Sequence, residues 1–288
     1  MQVNEIMSNI SEEQTRNTCI IHYCWFGRGE KPEVFKKCLD SWKRYMPQYR
    51  IIEWNEDNFD VDVNDFTRAA YDAGKYAFVS DVARLWVVHE YGGIYLDTDV
   101  ELKDSLDYLE QYDSFFFFQS DQDITTGLGF GARKNDKLIG EMFRAYSKIS
   151  FDANHVSEFL CPKINTASVK EFFQDFRCNN SLQIIDQHIF LPCSEYKRKA
   201  EHHSSFSWAT ENQARALKYA KKKRTHWQFR QKIRSEGVRT FLETHFPKFV
   251  VRLYSFLVYD FIDYGMIYWI CKAFLKIKSK FWINRVSQ

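Results

Sequence analysis

Two carboxylates one residue apart, Asp97 and Asp99, follow the short apolar run Ile94-Tyr95-Leu96. In a β-strand, residues i and i+2 share a face. At the C-terminal end of a strand both side chains would aim at one spot. Carboxylates this close repel each other unless a proton or a cation lies between them. Oxygen ligands in that arrangement suit a hard cation such as Mg²⁺ or Mn²⁺, which keeps coordination positions for substrate phosphates. The chemistry expected is a metal-bound nucleotide-sugar site. Two other Asp-x-Asp pairs, Asp60-Val-Asp62 and Asp121-Gln-Asp123, lie in polar, loop-like stretches and read as solvated acids. Asp81 and Arg84 stand three apart upstream, so on a helix they share a face. They read either as a plain ion pair or as part of the same site.

The segments around these residues alternate strand and helix. Cys19–Phe26 reads as a first strand, β-branched and aromatic, ending in Gly27-Arg28-Gly29. A helix follows from Pro32 to about Tyr45, with Pro in its first turn. Ile51–Trp54 is a second strand, and Asp65–Ala73 and Tyr76–Tyr91 are helical. In the latter, Val79, Val82, Ala83, Trp86 and Val87 recur at helical spacing and mark a core face. Gly92-Gly93 closes that helix, since glycine tolerates positive φ past a helix end. The strand Ile94–Asp97 comes next. Ser114–Gln119, with four consecutive Phe, reads as a strand buried on both faces. Phe130–Arg133 reads as a further strand and Leu138–Lys148 as a helix. This alternation implies an α/β fold with a mainly parallel sheet, whose ligands bind beyond the carboxyl ends of the strands.

A chain of 288 residues can bury a sizeable core, and 26 Phe, 16 Tyr and 8 Trp exceed what a minimal core needs. Seven scattered Cys with no Cys-x-x-Cys argue against a disulfide framework or a zinc ribbon and fit a reducing cytosol. Residues 1–17 read as a loose leader; the first 18 are polar, and no secretory signal is expected. Net charge is +2, unevenly spread: residues 213–288 carry 17 Lys/Arg against 4 Asp/Glu. A basic tail on an acidic body suits an anionic partner, either a membrane surface, nucleic acid, or an acidic face of the same protein. Phe246–Leu275 is apolar and aromatic but interrupted by Arg252, Asp260, Asp263 and Gly265, which reads as amphipathic helix rather than a membrane span. The organisation expected is a leader at 1–17, a catalytic domain at 18–212, and a helical, basic, amphipathic region at 213–288.

Several separated motifs, in order, resemble the DXD-containing sugar-binding region of family 32 glycosyltransferases. They are Ile21-His22-Tyr23-Cys24-Trp25-Phe26-Gly27, Ser41-Trp42 with Pro47, Ser80-Asp81-Val82-Ala83-Arg84, Tyr91-Gly92-Gly93-Ile94-Tyr95-Leu96-Asp97-Thr98-Asp99, and His202-His203-Ser204-Ser205-Phe206-Ser207-Trp208. That family includes bacterial capsular polysaccharide and lipopolysaccharide enzymes and yeast Golgi mannosyltransferases; large clostridial glucosylating toxins are similar at a greater distance. The resemblance covers about residues 18–210. It implies a GT-A, Rossmann-like fold with a helical basic C-terminal extension, a UDP- or GDP-sugar donor (UDP favoured), Mn²⁺ or Mg²⁺, and retention of anomeric configuration. By that resemblance Trp25 would lie against the base, and Asp81 and Arg84 would hold the donor sugar, with Ser80 also in the donor site. Tyr95 would pack beside the nucleotide. Asp97 would touch ribose or metal, and Asp99 would bind the metal directly. His202 or His203 would complete the metal site, and Ser207 and Trp208 would contact the diphosphate. Where many relatives carry a small polar segment with Asn, this chain has Thr125-Thr126-Gly127-Leu128-Gly129.

The reading is a metal-dependent retaining glycosyltransferase acting on a glycan or lipid-linked saccharide in surface-polysaccharide synthesis. It would work in the cytoplasm, peripheral to the inner face of the plasma membrane, with no nucleic-acid partner. The alternatives are a metal-dependent phosphodiesterase or nucleotidyltransferase, a host-directed glycosylating effector, a nucleic-acid binder using Lys218–Arg239 and a non-catalytic sugar binder. A two-metal phosphodiesterase would need a richer acid and His cluster than the sequence offers.

Overall fold

The computed structural model describes residues 19–203. The expected leader at 1–17 and the basic region at 213–288, including Phe246–Leu275, lie outside the described residues. In chain order the elements are β1 (Ile20–Cys24), α1 (Glu33–Tyr45), β2 (Arg50–Trp54), α2 (Asp65–Asp72), α3 (Tyr76–Tyr91), β3 (Gly93–Tyr95), β4 (Val100–Leu102), β5 (Ser114–Phe118), β6 (Ile124–Ala132), α4 (Lys137–Tyr146), α5 (Cys161–Phe172), β7 (Gln183–Ile185), β8 (His188–Leu191), α6 (Cys193–Lys199) and β9 (Ala200–His202).

Seven strands form one sheet in the order β2-β1-β3-β6-β5-β8-β7, and β4 pairs with β9 in a separate ribbon. The α/β expectation holds, but the sheet is mixed rather than mainly parallel. β2, β1 and β3 run parallel, as do β5 and β8. β6 runs antiparallel to both β3 and β5, and β7 antiparallel to β8. The cause is local: β5 returns directly into β6 through the short polar link at 119–123, which leaves no room for the crossover a parallel pair needs.

The sheet is buried on both faces, and the Phe run shows how. Phe116 and Phe118 join the apolar cluster that includes Phe66, Val82 and Tyr146. Phe115 and Phe117 join the opposite one, with Trp42, Ile94 and Tyr196. Alternate residues of a strand point to opposite sides, so the run fills both layers at once. Phe130, Phe116 and Phe190 stack across three neighbouring strands, with ring centroids 5.9 and 5.5 Å apart.

The helix α3 is buried almost all round, through Phe78, Val79, Val82, Ala83, Leu85, Val87 and Val88. Its exit onto the sheet depends on Gly92 and Gly93, at φ +69° and +97°. A Cβ on Gly93 would stand 2.7 Å from the Ile20 carbonyl oxygen, so a side chain there would push β3 off β1. His22 of β1 secures the junction. Its Nε2 donates to the Gly92 carbonyl at 2.8 Å, and its Nδ1 accepts from Trp54 Nε1 at 3.0 Å. This pattern fixes a neutral imidazole, and complete burial lowers its pKa from 6.5 to about 4 despite the Gly92 carbonyl. Between those values the unfolded imidazole holds more protons than the folded one, so the His22 contribution is complete above pH 6.5 and is lost on acidification. Asp81 and Asp97, whose pKa values are raised, tilt stability the opposite way, so the effect is read as a difference. The stability advantage of wild type over His22→Gln, from urea titrations, is expected to shrink by on the order of 3 kcal/mol between pH 6.5 and 4. A pH-independent difference would show that the folded and unfolded states bind protons at His22 equally, so that burial does not lower its pKa.

Candidate functional site

The strand β3 ends at Tyr95, earlier than expected, so Asp97 and Asp99 are not on a strand at all. They sit in the turn that leads into β4, closed by the Val100 amide donating to the Asp97 carbonyl at 3.0 Å. Their convergence therefore comes from turn geometry and not from strand alternation. The turn is pinned at both ends: Leu96 N donates to His22 O at 3.0 Å, and His203 N donates to Asp99 O at 2.9 Å.

The pairing of β4 with β9 sets Val100 opposite His202. One ligand atom from each of Asp97, Asp99 and His202 falls within 4.8 Å of the others, and His202 Nε2 lies 3.0 Å from Asp99 Oδ1. Asp99 is 5% exposed, while Asp97 and His202 are half-buried. Of the two adjacent histidines the structure brings only His202 to the carboxylates; His203 Nε2 lies 3.0 Å from Glu101 Oε2. The donor set fits a divalent cation. Carboxylates suit Mg²⁺ and Mn²⁺, and an added imidazole shifts the preference toward the transition metal.

Behind this cluster lies a buried charge network. The Arg84 guanidinium reaches Asp81 Oδ1 at 3.0 Å and Asp97 Oδ1 at 3.1 Å, both from Nη2. Its Nε donates to Ser80 O at 3.1 Å, its Nη1 to Thr126 Oγ1 at 3.4 Å, and its plane lies 4.8 Å from the Tyr95 ring centre. Tyr95 OH donates to Asp97 Oδ1 at 2.9 Å. Burial raises the Asp81 pKa to about 7, opposed by Arg84 and assisted by Asp97. Burial also raises Asp97, with Arg84 opposing and the Asp99 charge assisting. The same burial would disfavour the Arg84 cation, but Asp97, Tyr95 and Asp81 outweigh it and hold its pKa well above normal.

The other expected residues are placed as follows. Trp25 sits in the loop after β1, half-buried, with Nε1 donating to Gly29 O at 2.8 Å. Ser80 Oγ donates to Tyr76 O at 3.1 Å, so Ser80 meets Arg84 through its carbonyl and not its hydroxyl. Ser207 and Trp208 lie outside the described residues.

The Thr125–Gly129 segment belongs to β6, which starts six residues before the expected strand at Phe130. A Cβ on Gly127 would come 3.0 Å from Asp97 Oδ2 and 3.3 Å from Arg84 Nη1, so glycine lets β6 close against the site. Asn165 of α5 donates to Thr126 Oγ1 at 2.9 Å, and Cys161 Sγ lies 3.3 Å from Thr125 Oγ1. Sequence reasoning missed Asn165, Cys161 and Glu101. The alternation of glycine with apolar residues over Gly127-Leu128-Gly129-Phe130-Gly131 was the available signal for β6; nothing local marks Asn165.

At the end of β3 a turn thus brings two carboxylates against His202 of β9, backed by the buried Asp81–Arg84 pair, a donor set with the chemistry to hold a divalent cation. The model of the family described as capsular polysaccharide synthesis protein matches residues 2–146, half of the chain, and the protein belongs to that family. Among curated proteins it is 28% identical over 157 residues to inositol phosphoceramide mannosyltransferase 3 of Schizosaccharomyces pombe, covering 52% of this chain and 42% of that protein. It is 25% identical over 193 residues to an uncharacterized glycosyltransferase of Acanthamoeba polyphaga mimivirus, covering 62% and 75% respectively. Among solved structures the PaToxG glycosyltransferase aligns over 60% of this chain and 77% of that one, with 15% identity and a TM-score of 0.46.

Proposed function

We propose that this protein is a metal-dependent, retaining glycosyltransferase of GT-A type. It takes a sugar from a nucleoside-diphosphate donor, with UDP favoured, and passes it to a glycan or lipid-linked saccharide in surface-polysaccharide synthesis. The observation that carries the reading is the convergence of Asp97, Asp99 and His202 directly beside Arg84 and Asp81. The family membership and two glycosyltransferase relatives support it.

Asp97, Asp99 and His202 would hold Mn²⁺ or Mg²⁺, which as a Lewis acid offsets the negative charge growing on a departing diphosphate. Arg84 fixes the orientation of Asp97 by binding Oδ1 together with the Tyr95 hydroxyl. Because four polar groups hold Arg84, its role toward the donor is chiefly to shape the field and the pocket wall. Asp81, held by Arg84, accepts from sugar hydroxyls when ionised. Trp25 would stack against the base, and Ser207 and Trp208 would meet the diphosphate. Retention is assigned to front-face departure and attack, for which no enzyme nucleophile is required. The basic region at 213–288 would bring the enzyme to anionic lipid at the cytoplasmic membrane face. Among the described residues no helix is long and apolar enough to cross a membrane.

The test is donor hydrolysis across UDP- and GDP-sugars with Mn²⁺, with Mg²⁺ and with EDTA. One donor is expected to release nucleoside diphosphate slowly, with the metal required, and its sugar to appear on an added saccharide acceptor. Cleavage to a nucleoside monophosphate with no acceptor glycosylated would favour the phosphodiesterase reading. No binding of any donor by calorimetry with metal present would defeat both.

A further inference from the structure

The ribbon of β4 and β9 stands apart from the main sheet yet supplies His202 and follows Asp99 directly. Three residues of β4 in succession are gripped by α1. Trp42 Nε1 donates to Val100 O at 2.8 Å, and Ser41 Oγ accepts from Leu102 N at 2.9 Å. Between them Glu101 Oε2 lies 2.8 Å from Lys37 Nζ and 3.0 Å from His203 Nε2. Trp42 and Ser41 are buried, and Glu101 keeps only 19% of its side chain exposed. β9 pairs with β4 over three residues. The Glu101 side chain ties α1, β4 and the residue after His202 together.

We propose that Glu101 is a positioning residue of the metal centre. It touches neither the ion nor the substrate. Through His203 it sets where His202 stands relative to Asp99, and through Lys37 it anchors that setting to α1. The proposal rests on the metal-dependent reading above. It explains the adjacent histidines: one faces the carboxylates, and its neighbour locks the strand. Such outer partners of metal ligands typically change affinity by about 10- to 100-fold when removed.

The experiment measures Mn²⁺ affinity of the full chain from the free-ion electron paramagnetic resonance signal, with no donor present. Glu101→Gln and His203→Gln are each expected to weaken binding about 10- to 100-fold. The double variant should be no weaker than the worse single one, because both remove the same contact. Lys37→Met, which breaks an exposed ion pair, should weaken it about 2- to 5-fold. Glu201→Gln breaks the neighbouring Lys103–Glu201 pair on the same ribbon, 3.0 Å long and exposed, and should leave the affinity unchanged. Should Glu101→Gln fail to fold, as judged by thermal melting in EDTA, His203→Gln and Lys37→Met carry the test. Wild-type affinity in the folded variants overturns the proposal. So do additive losses in the double variant, or an equal loss in Glu201→Gln. A wild type that binds no Mn²⁺ removes the metal reading itself, a result distinct from any of these.

Discussion

Asp99→Asn will lose donor turnover by about a thousandfold or more while the metal-free protein keeps its fold. The expected loss follows from removing a proposed ligand of a cation whose Lewis-acid contribution is several kcal/mol, at about 1.4 kcal/mol per factor of ten. The stability side follows from the repulsion between the neighbouring carboxylates, which adds to burial in raising Asp97. Asparagine keeps the volume of Asp99, removes that repulsion, and can still accept from His202, which lies 3.0 Å away. The melting temperature in EDTA should therefore match wild type within a few degrees, or exceed it. Adding Mn²⁺ should raise the wild-type melting temperature, since a ligand that binds only the native state stabilises it. The variant should show little or no such rise. If Asp99→Asn turned donor over at the wild-type rate, the cluster would not be the reaction centre.

The second large effect is on Arg84. Arg84→Met removes the cation that opposes the burial of Asp81 and Asp97. Leaving a buried charge uncompensated costs about 3–5 kcal/mol, a drop in melting temperature on the order of 10 °C for a domain of this size. Arg84→Lys should rescue little. An ammonium cannot serve Asp81, Asp97, the Ser80 carbonyl and Thr126 together, as the planar fork does. The diagnostic variant is Arg84→Met with Asp81→Asn. Removing the orphaned carboxylate should restore part of the melting temperature and none of the turnover. Full restoration of turnover would mean that the pair is only a structural ion pair.

How much of this was readable beforehand depends on whether a residue's partner lies close along the chain. The helix from Tyr76, the Gly92-Gly93 break and the double-faced Phe strand all rest on neighbours a few positions away, and each stands where its pattern put it. The two carboxylates do converge, but for a different reason. Strand alternation was the argument, whereas β3 stops at Tyr95 and a turn gathers Asp97 and Asp99. The direction of β6 depends on how a five-residue link returns, which periodicity does not encode. Its glycines at 127, 129 and 131 also hid its length, since glycine reads as a break although here it permits close approach to Arg84, Leu96 and Phe115. The choice between His202 and His203 was unreadable in principle. Their register against β4 decides it, and that is fixed by residues about a hundred positions upstream.

That separation carries a consequence for how the protein matures. Glu101 and His203 lie 102 positions apart, and the strands β5 to β8 intervene. A nascent chain emerging from the ribosome would have Asp97 and Asp99 long before the residue that completes their cluster. Bringing distant segments together carries an entropy cost that grows slowly with the span, and contacts of this range form late in folding. Under the proposed metal-dependent reading the cluster is a completion checkpoint: truncated or half-folded chains would display two mutually repelling acids, and only a finished domain would bring His202 to them.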